Sequence, residues 1–361
     1  MKMRKIVCSF MISVVCFMTA ISGVSATSYD TSKINAAYSK VVEYYKNNNN
    51  LNNADKILAV ESLGLEAESN QFDTSSANLS STSLSKKIVT EVLLGVDPTK
   101  DKETLESQID ENGNVEGSWG ASSDVWTLYA LYVTSSEKTN LIANKLNDEL
   151  AVSSVCGYEW GGTYYADYDT TGWVIEGLAV VNKEKYATTI NKAIDYIKNN
   201  TTMTTTGWVT ADNVDTQSQV LEGMFAYDTN ALLNDSYTVH PVDCLLNTQL
   251  SDGSFPSGYN AEYTTAEVAK TLGTYKNGSV IIKAKKAYDK MMNPEQPDNT
   301  KPAQPTDTKK DSQSTNKVET TNQKTTSVKT GDETNVVIFV SLSMVSGGLF
   351  LVLRKEYERV H

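Results

Sequence analysis

Apolar residues recur along this chain in two registers that take turns. One kind of segment carries a stripe of apolar residues with polar residues opposite; the other is apolar on most sides. Residues 31–46 (TSKINAAYSKVVEYYK) are of the first kind, with Ile34, Ala37, Tyr38, Val41, Val42 and Tyr45 on one helical face. The asparagine run 47–53 ends that helix, and 54–65 (ADKILAVESLGL) predicts a second, more apolar one. Residues 69–83 are rich in Ser and Asn and read as a loop. A third helix is predicted over 84–94, stopped by Gly95 and Asp97-Pro98.

From there a unit repeats. A glycine-and-aromatic turn runs into a polar step and then an apolar helix, at 117–133, 156–181, 206–227 and 252–275. Leu131, Leu178, Met224 and Leu272 hold the same place in each copy, about 47 residues apart. A fixed period of that size marks a repeat architecture. Amphipathic helices are predicted between the copies, at 141–150, 186–199 and 239–249. Ser122, Asp169 and Asp215 stand where an N-cap belongs. Two helix types in alternation suit a two-layer ring, with amphipathic helices outside and apolar ones inside. About a dozen helices by Met292 predict an all-α ring of about six hairpins.

The ends have other compositions. Residues 1–26 join Lys2, Arg4 and Lys5 to an apolar stretch and a Val24-Ser25-Ala26 cleavage site, the pattern of a signal peptide. The repeat domain is then 27–292. Residues 293–332 are Pro, Thr, Lys, Gln, Asp and Ser, a composition that predicts a disordered linker. Residues 335–353, within a terminal segment 333–361, are apolar for the length of a membrane span and are followed by Arg354, Lys355 and Arg359. That charge keeps the tail cytoplasmic and the repeat domain outside. The net charge of −12 argues against nucleic acid as a partner. His240 and His361 are the only histidines, too few for a histidine metal site, and no cofactor motif stands out. Outside the signal segment only Cys156 and Cys244 remain, either paired or as two buried thiols.

The densest chemistry lies before the second apolar repeat helix. Tyr158, Trp160, Tyr164, Tyr165 and Tyr168 interleave with Glu159, Asp167 and Asp169. Such a cluster can stack on a sugar, a ring or a cation; the alternative is that these turns pack on neighbouring repeats, as Trp119, Trp208 and Phe255 would. Glu159 with Asp169, or Asp167 with Asp212, are candidate glycosidase pairs. Trp126 and Trp173 align on apolar helices as core or cavity groups. Asp243, Cys244 and His240 form a weak candidate for zinc, at an unsuitable spacing.

Two resemblances extend this reading. Ser327-Val328-Lys329-Thr330-Gly331-Asp332, then the apolar span and basic tail, resembles the sorting signal of Gram-positive wall proteins, with Ser327 and Val328 where that pattern has Leu-Pro. It implies cleavage by a sortase between Thr330 and Gly331 and attachment of Thr330 to peptidoglycan; the alternative is a plain membrane anchor through 335–353. Gln249, Gly253 and Phe255, with 108–119 (QIDENGNVEGSW) as a looser copy, resemble the turns of the prenyltransferase and squalene-oxidase repeat. That resemblance implies the α/α toroid of terpenoid cyclases, prenyltransferase β subunits and cobalamin carriers. Asp167-Tyr168-Asp169-Thr170-Thr171 is similar to the acid motif of class II cyclases, in which Asp169 would protonate an alkene. The expected protein is an extracellular, surface-anchored toroid, a non-catalytic binding module for a ring compound, a glycan or an extracellular protein. The alternative is a toroid enzyme working by acid catalysis at Asp169 or by a carboxylate pair.

Overall fold

A polar turn followed by an apolar helix, repeated, sets the architecture. The computed structural model describes residues 29–68, 79–160, 163–209 and 213–294, the side chains of Glu159 and Trp160 excepted. The signal segment, the linker, Thr330 with Gly331, and the apolar span all lie outside the described residues. No helix among the described residues is long and apolar enough to cross a membrane.

The described chain is all-α apart from one hairpin. Its helices are α1 (Thr31–Asn47), α2 (Ala54–Ser62), α3 (Ser81–Leu93), α4 (Thr99–Ser107), α5 (Ala121–Val133), α6 (Thr139–Ser153), α7 (Tyr168–Asn200), α8 (Val214–Asn234), α9 (Pro241–Leu246), α10 (Ala261–Asn277) and α11 (Val280–Met292). The hairpin pairs β1 (Gly157–Trp160) with β2 (Thr163–Ala166), antiparallel. Two helices are bent. Asn182 in α7 and Asp228 in α8 leave helical geometry, and each side chain caps the helix that follows, through Lys185 N and Ala231 N. An apolar helix thus joins an amphipathic one without a loop.

The apolar helices follow a cyclic order of contacts. α2 packs on α3, α3 on α5, α5 on α7, α7 on α8, α8 on α10, and α10 returns to α2. Leu131, Leu178, Met224 and Leu272 are all buried, on α5, α7, α8 and α10. Each contributes roughly 1.5–3 kcal/mol of apolar burial. Beyond them α1 packs on α10, α4 on α3 and α5, α6 on α5 and α7, and α9 on α8 and α1. α11 packs on α2, α3, α5 and α10.

Each turn is fastened to the helix it precedes. Cys156 N donates to Thr171 Oγ1 at 3.0 Å, Trp208 N to Gln217 Oε1 at 3.1 Å, and Phe255 N to Thr265 Oγ1 at 3.0 Å. Thr171, Gln217 and Thr265 occupy the same place in successive repeats, so one polar residue per repeat satisfies one buried turn amide. Trp208 and Phe255 are buried as packing residues, but Trp119 is 61% exposed.

Several expectations shift. The N-caps are Asp167 and Asn213, two residues before the expected Asp169 and Asp215; Ser122 lies two residues inside α5, which follows Gly120 without a side-chain cap. Asp169 and Asp215 stand instead in the first turn, where the helix dipole favours negative charge. α2 stops at Ser62 because Gly64 turns the chain at φ +71°. α4 went unpredicted because Leu105 is its one buried residue and no apolar stripe forms. Cys156 and Cys244 are free, buried thiols, and Cys244 Sγ donates to Thr204 O.

The α7–α8 contact depends on two glycines. A Cβ on Gly172 would lie 2.4 Å from Gln219 O, and one on Gly223 would lie 2.3 Å from Gly172 O. The backbones meet where these side chains are missing. Gly172→Ala is expected to lower stability by about 1–3 kcal/mol in urea titration. Gly258→Ala, where nothing lies within 4 Å of the added carbon, is expected to change it by under about 0.5 kcal/mol. Equal effects would contradict the close approach.

Candidate functional site

Positions i, i+4 and i+7 of a helix share a face. On the apolar repeat helices these positions are Ser122, Trp126 and Tyr129 in α5, Asp169, Trp173 and Glu176 in α7, and Asp215, Gln219 and Glu222 in α8; in α10 they are Tyr263, Glu267 and Lys270. The side chains of the four stripes meet. Tyr129 OH donates to Glu176 Oε2 at 2.9 Å, and Gln219 Nε2 to Glu267 Oε2 at 3.2 Å. Lys270 Nζ lies 2.9 Å from Glu267 Oε2 and 3.7 Å from Glu222 Oε2. It also lies 5.4 Å from the ring centre of Trp126 on α5, which stands edge-on to Trp173 at 5.8 Å. From α3 Lys86 reaches the same Trp126 ring at 4.4 Å and pairs with Asp55 of α2 at 2.8 Å. All six cyclically ordered helices therefore contribute to one polar interior.

Exposure falls along the stripes of α5, α7 and α10, while the α8 stripe is buried from Asp215 onward. Ser122, Asp169 and Tyr263 are partly exposed; in the last row Tyr129, Glu176, Glu222 and Lys270 are all buried. The interior comes nearest the surface at the first turns of α5, α7 and α10. At the far end Ser279, the cap of α11, donates to Glu176 Oε1 at 2.6 Å, and Lys283 of α11 bonds Glu61 of α2. α11 lies against that end.

Burial shifts the charges of the interior. It raises the carboxyls of Glu176, Glu222 and Glu267, because a charge loses its water there. Burial opposes the Lys270 ammonium, but Glu222 and Glu267 outweigh it and hold the proton more firmly. At the first turns Asp169 is pushed up to about 8, by burial first and then by the charge of Asp167, with Asp215 and Glu267 adding to it. Tyr259 OH donates to Asp215 Oδ2 at 2.5 Å, and Tyr259 itself is 61% exposed beside Tyr263. Asp169 is thus a carboxylic acid that keeps its proton near neutrality, beside Asp167 and Asp215, whose carboxyls burial also raises.

The residues expected from sequence divide. Asp167 is committed as the cap of α7, accepting from Asp169 N and Thr170 N at 3.3 Å and from Thr170 Oγ1. Tyr158 and Tyr165 stack across the hairpin at 5.5 Å, while Tyr164 OH donates to Val155 O at 3.1 Å. Tyr158 and Tyr164 are exposed and Tyr168 is partly buried against the core. The hairpin adjoins the turn of Trp119: a Cβ on Gly120 would lie 3.3 Å from Gly157 O. Trp160 pairs through its backbone with Thr163; its side chain, that of Glu159, and Asp212 lie outside the description. Asp243 is engaged by Tyr29 OH at 2.6 Å and Lys33 at 3.0 Å, and His240 caps α9. Among the described residues no group of His, Cys, Asp and Glu is arranged to hold a metal.

Glu176, Glu222, Glu267, Lys270, Lys86 and Asp55 were missed in the sequence. Their signal is the repeat register itself: ionisable residues seven places into helices otherwise apolar. No protein-family model matches the chain, and no curated protein matches it.

The Asp169 shift has a sign. Unfolded, the carboxyl ionises near 3.8; folded, near 8. Between those values the folded chain holds a proton that the unfolded chain lacks. Its contribution is greatest below pH 4 and is lost as pH rises through 8. Asp169→Asn is expected to be little changed at pH 3 and more stable than wild type at pH 8 by roughly 2–5 kcal/mol. Parallel pH profiles of the two melting temperatures would contradict this.

Proposed function

We propose that the chain is an exported, surface-held α/α toroid whose polar interior is a binding site, approached from the first turns of α5, α7 and α10. The observation that carries this is the inner wall. Polar and aromatic side chains continue down the stripes of four repeats, and on α5, α7 and α10 their exposure falls inward. An interior serving stability alone is better filled by apolar groups, since buried charges cost solvation that pairing barely restores. The cyclic contact order and the buried Leu131, Leu178, Met224 and Leu272 support the toroid of about six hairpins. The tyrosines of the hairpin, with Trp119 and Tyr259 near the other turns, supply stacking faces for a ring compound or a glycan. Export rests on residues 1–26. Anchoring rests on the 293–332 linker, Thr330-Gly331 and the 333–361 tail, with sortase and peptidoglycan, or the membrane, as partners.

A second reading is favoured by one observation: the Asp169 carboxyl, pushed up to about 8, supplies the protonated acid that glycan cleavage or alkene protonation requires, with the Asp215 carboxyl near enough to add to its shift. One experiment separates the two. The intact chain is screened by thermal shift and for turnover against glycans and ring compounds, with Tyr165→Ala and Asp169→Asn. Stabilisation reduced at least tenfold in affinity by Tyr165→Ala, with no turnover, is expected. Turnover that Asp169→Asn abolishes would replace the binding reading with the enzymatic one.

A further inference from the structure

The exposed aromatic surface is one-sided. Among the described residues the aromatic side chains open to solvent are Trp119, Tyr158, Tyr164 and Tyr259. Each sits in the turn or hairpin that leads into α5, α7 or α10. The inner stripes meet row by row, Trp126 with Trp173, Tyr129 with Glu176, Gln219 with Glu267 and Glu222 with Lys270. The helices therefore run the same way, and the turns before them share one end of the domain. Trp119 is the odd member of its set. Its counterparts Trp208 and Phe255 are fully buried, so the repeat does not need this ring outside. The turn of Trp119 abuts β1, since a Cβ on Gly120 would lie 3.3 Å from Gly157 O and 3.7 Å from Tyr158 Cα. Tyr158 and Tyr165 pair across the hairpin and stack at 5.5 Å, with 21° between their planes. Tyr164, next along the strand, takes the opposite face, where its hydroxyl donates to Val155 O.

The charge of these turns limits the partner. Residues 108–120, 154–167, 201–213 and 247–260 contain no lysine or arginine, against Asp110, Glu111, Glu116, Glu159, Asp167, Asp212 and Asp252. Such a face repels an anionic polymer, and it repels a second copy of itself. Three of the acids are spent on the turns. Asp110 accepts from Asn112 N, Asn114 N and Asn114 Nδ2, Asp252 accepts from Ser254 N and Oγ, and Asp167 caps α7. What this end offers is flat ring surface set among polar groups. Exposed rings gathered at one end mark an interaction site. A pyranose ring has the matching make-up, with a C–H face that stacks on an aromatic ring and a rim of hydroxyls that donate and accept.

We propose that this end of the domain binds a neutral glycan chain, laid across Trp119 and the Tyr158–Tyr165 pair. The inference rests on the reading of the chain as a binding module, and it names the ligand class and the place. The site lies on the turns that precede the first turns of the inner helices, so it needs no cavity in the interior. Two stacking faces on two separate turns suit different rings of one chain rather than a single sugar.

The test is calorimetry and indole fluorescence on the intact chain at constant ionic strength. The neutral probes are hexasaccharides of β-1,4-glucose, α-1,4-glucose, β-1,4-mannose and β-1,4-N-acetylglucosamine. A galacturonate hexamer is the anionic probe and a glucosamine hexamer the cationic one. At least one neutral hexamer is expected to bind and to shift the indole emission to the blue. Trp119→Ala and Tyr158→Ala are each expected to weaken it about tenfold, and Trp119→Ala to remove the emission shift. Both positions are exposed, so the melting temperatures are expected to change little. Ile282→Ala, on α11, is expected to leave binding unchanged. Should either variant fail to fold, the bound hexamer is expected to protect the wild-type indole from acrylamide quenching, and no protection would overturn the proposal. A neutral hexamer held equally well by both variants would move its site off this face and overturn it. Binding of the charged hexamers alone would overturn it too. Self-association that Trp119→Ala abolishes would make the face an interface between copies instead. Failure of every neutral hexamer, with a ring compound still stabilising the chain, would sink this inference and leave the binding reading standing. Failure of every ligand would sink both.

Discussion

A lysine ammonium held among buried glutamates is the interaction on which the rest of this structure turns. Lys270 joins Glu267 on its own helix to Glu222 on α8 and lies over Trp126 on α5. Even beside that charge, burial holds the carboxyls of Glu222 and Glu267 above the usual range. Buried pairs of this sort add little net stability compared with apolar packing, but removing one partner is costly because the other is left bare. The helices that carry the network are thereby held in one mutual register. The carboxyls it leaves unmatched give the interior its acidic character.

The repeat explains how such an interior is built from simple parts. One polar side chain per repeat fastens the turn amide, as Thr171, Gln217 and Thr265 do. The fastened turn fixes where the next helix begins, and the helix period then fixes which residues share its inner face. Apolar residues at the Leu131 position bind the helix to its neighbours. Ionisable and aromatic residues at i, i+4 and i+7 are brought together, although they are some 47 residues apart in sequence. Gly172 and Gly223 let α7 and α8 approach until their backbones touch, which brings Asp169 near Asp215 and Thr216.

Much of the helical order was legible in the sequence, because helix character there depends on periodicity and α1, α3 and the apolar repeat helices follow it closely. α4 was not legible, since a helix that buries only Leu105 leaves no stripe. The hairpin was read as a turn, because its two short strands contain glycine and aromatics without alternation of apolar and polar residues. The site was legible in part. Asp169 and the tyrosine cluster announce themselves by local density. Glu176, Glu222, Glu267 and Lys270 do not, because each is a single polar residue in an apolar helix and gains meaning only from the helices opposite. Asp167 and Asp169 exchanged roles between sequence and structure. A cap and a first-turn acid are two residues apart, and local composition does not decide which of them starts the helix.

The proposed binding function presupposes that distant repeats face one another across a shared interior. The most direct measurement is a double-mutant cycle in urea between Trp126→Leu on α5 and Lys270→Met on α10. The account predicts a coupling of about 0.5–2 kcal/mol between residues 144 positions apart, the range for a desolvated ammonium over an indole. Additive effects, with coupling indistinguishable from zero, would mean that the two helices do not look onto the same space.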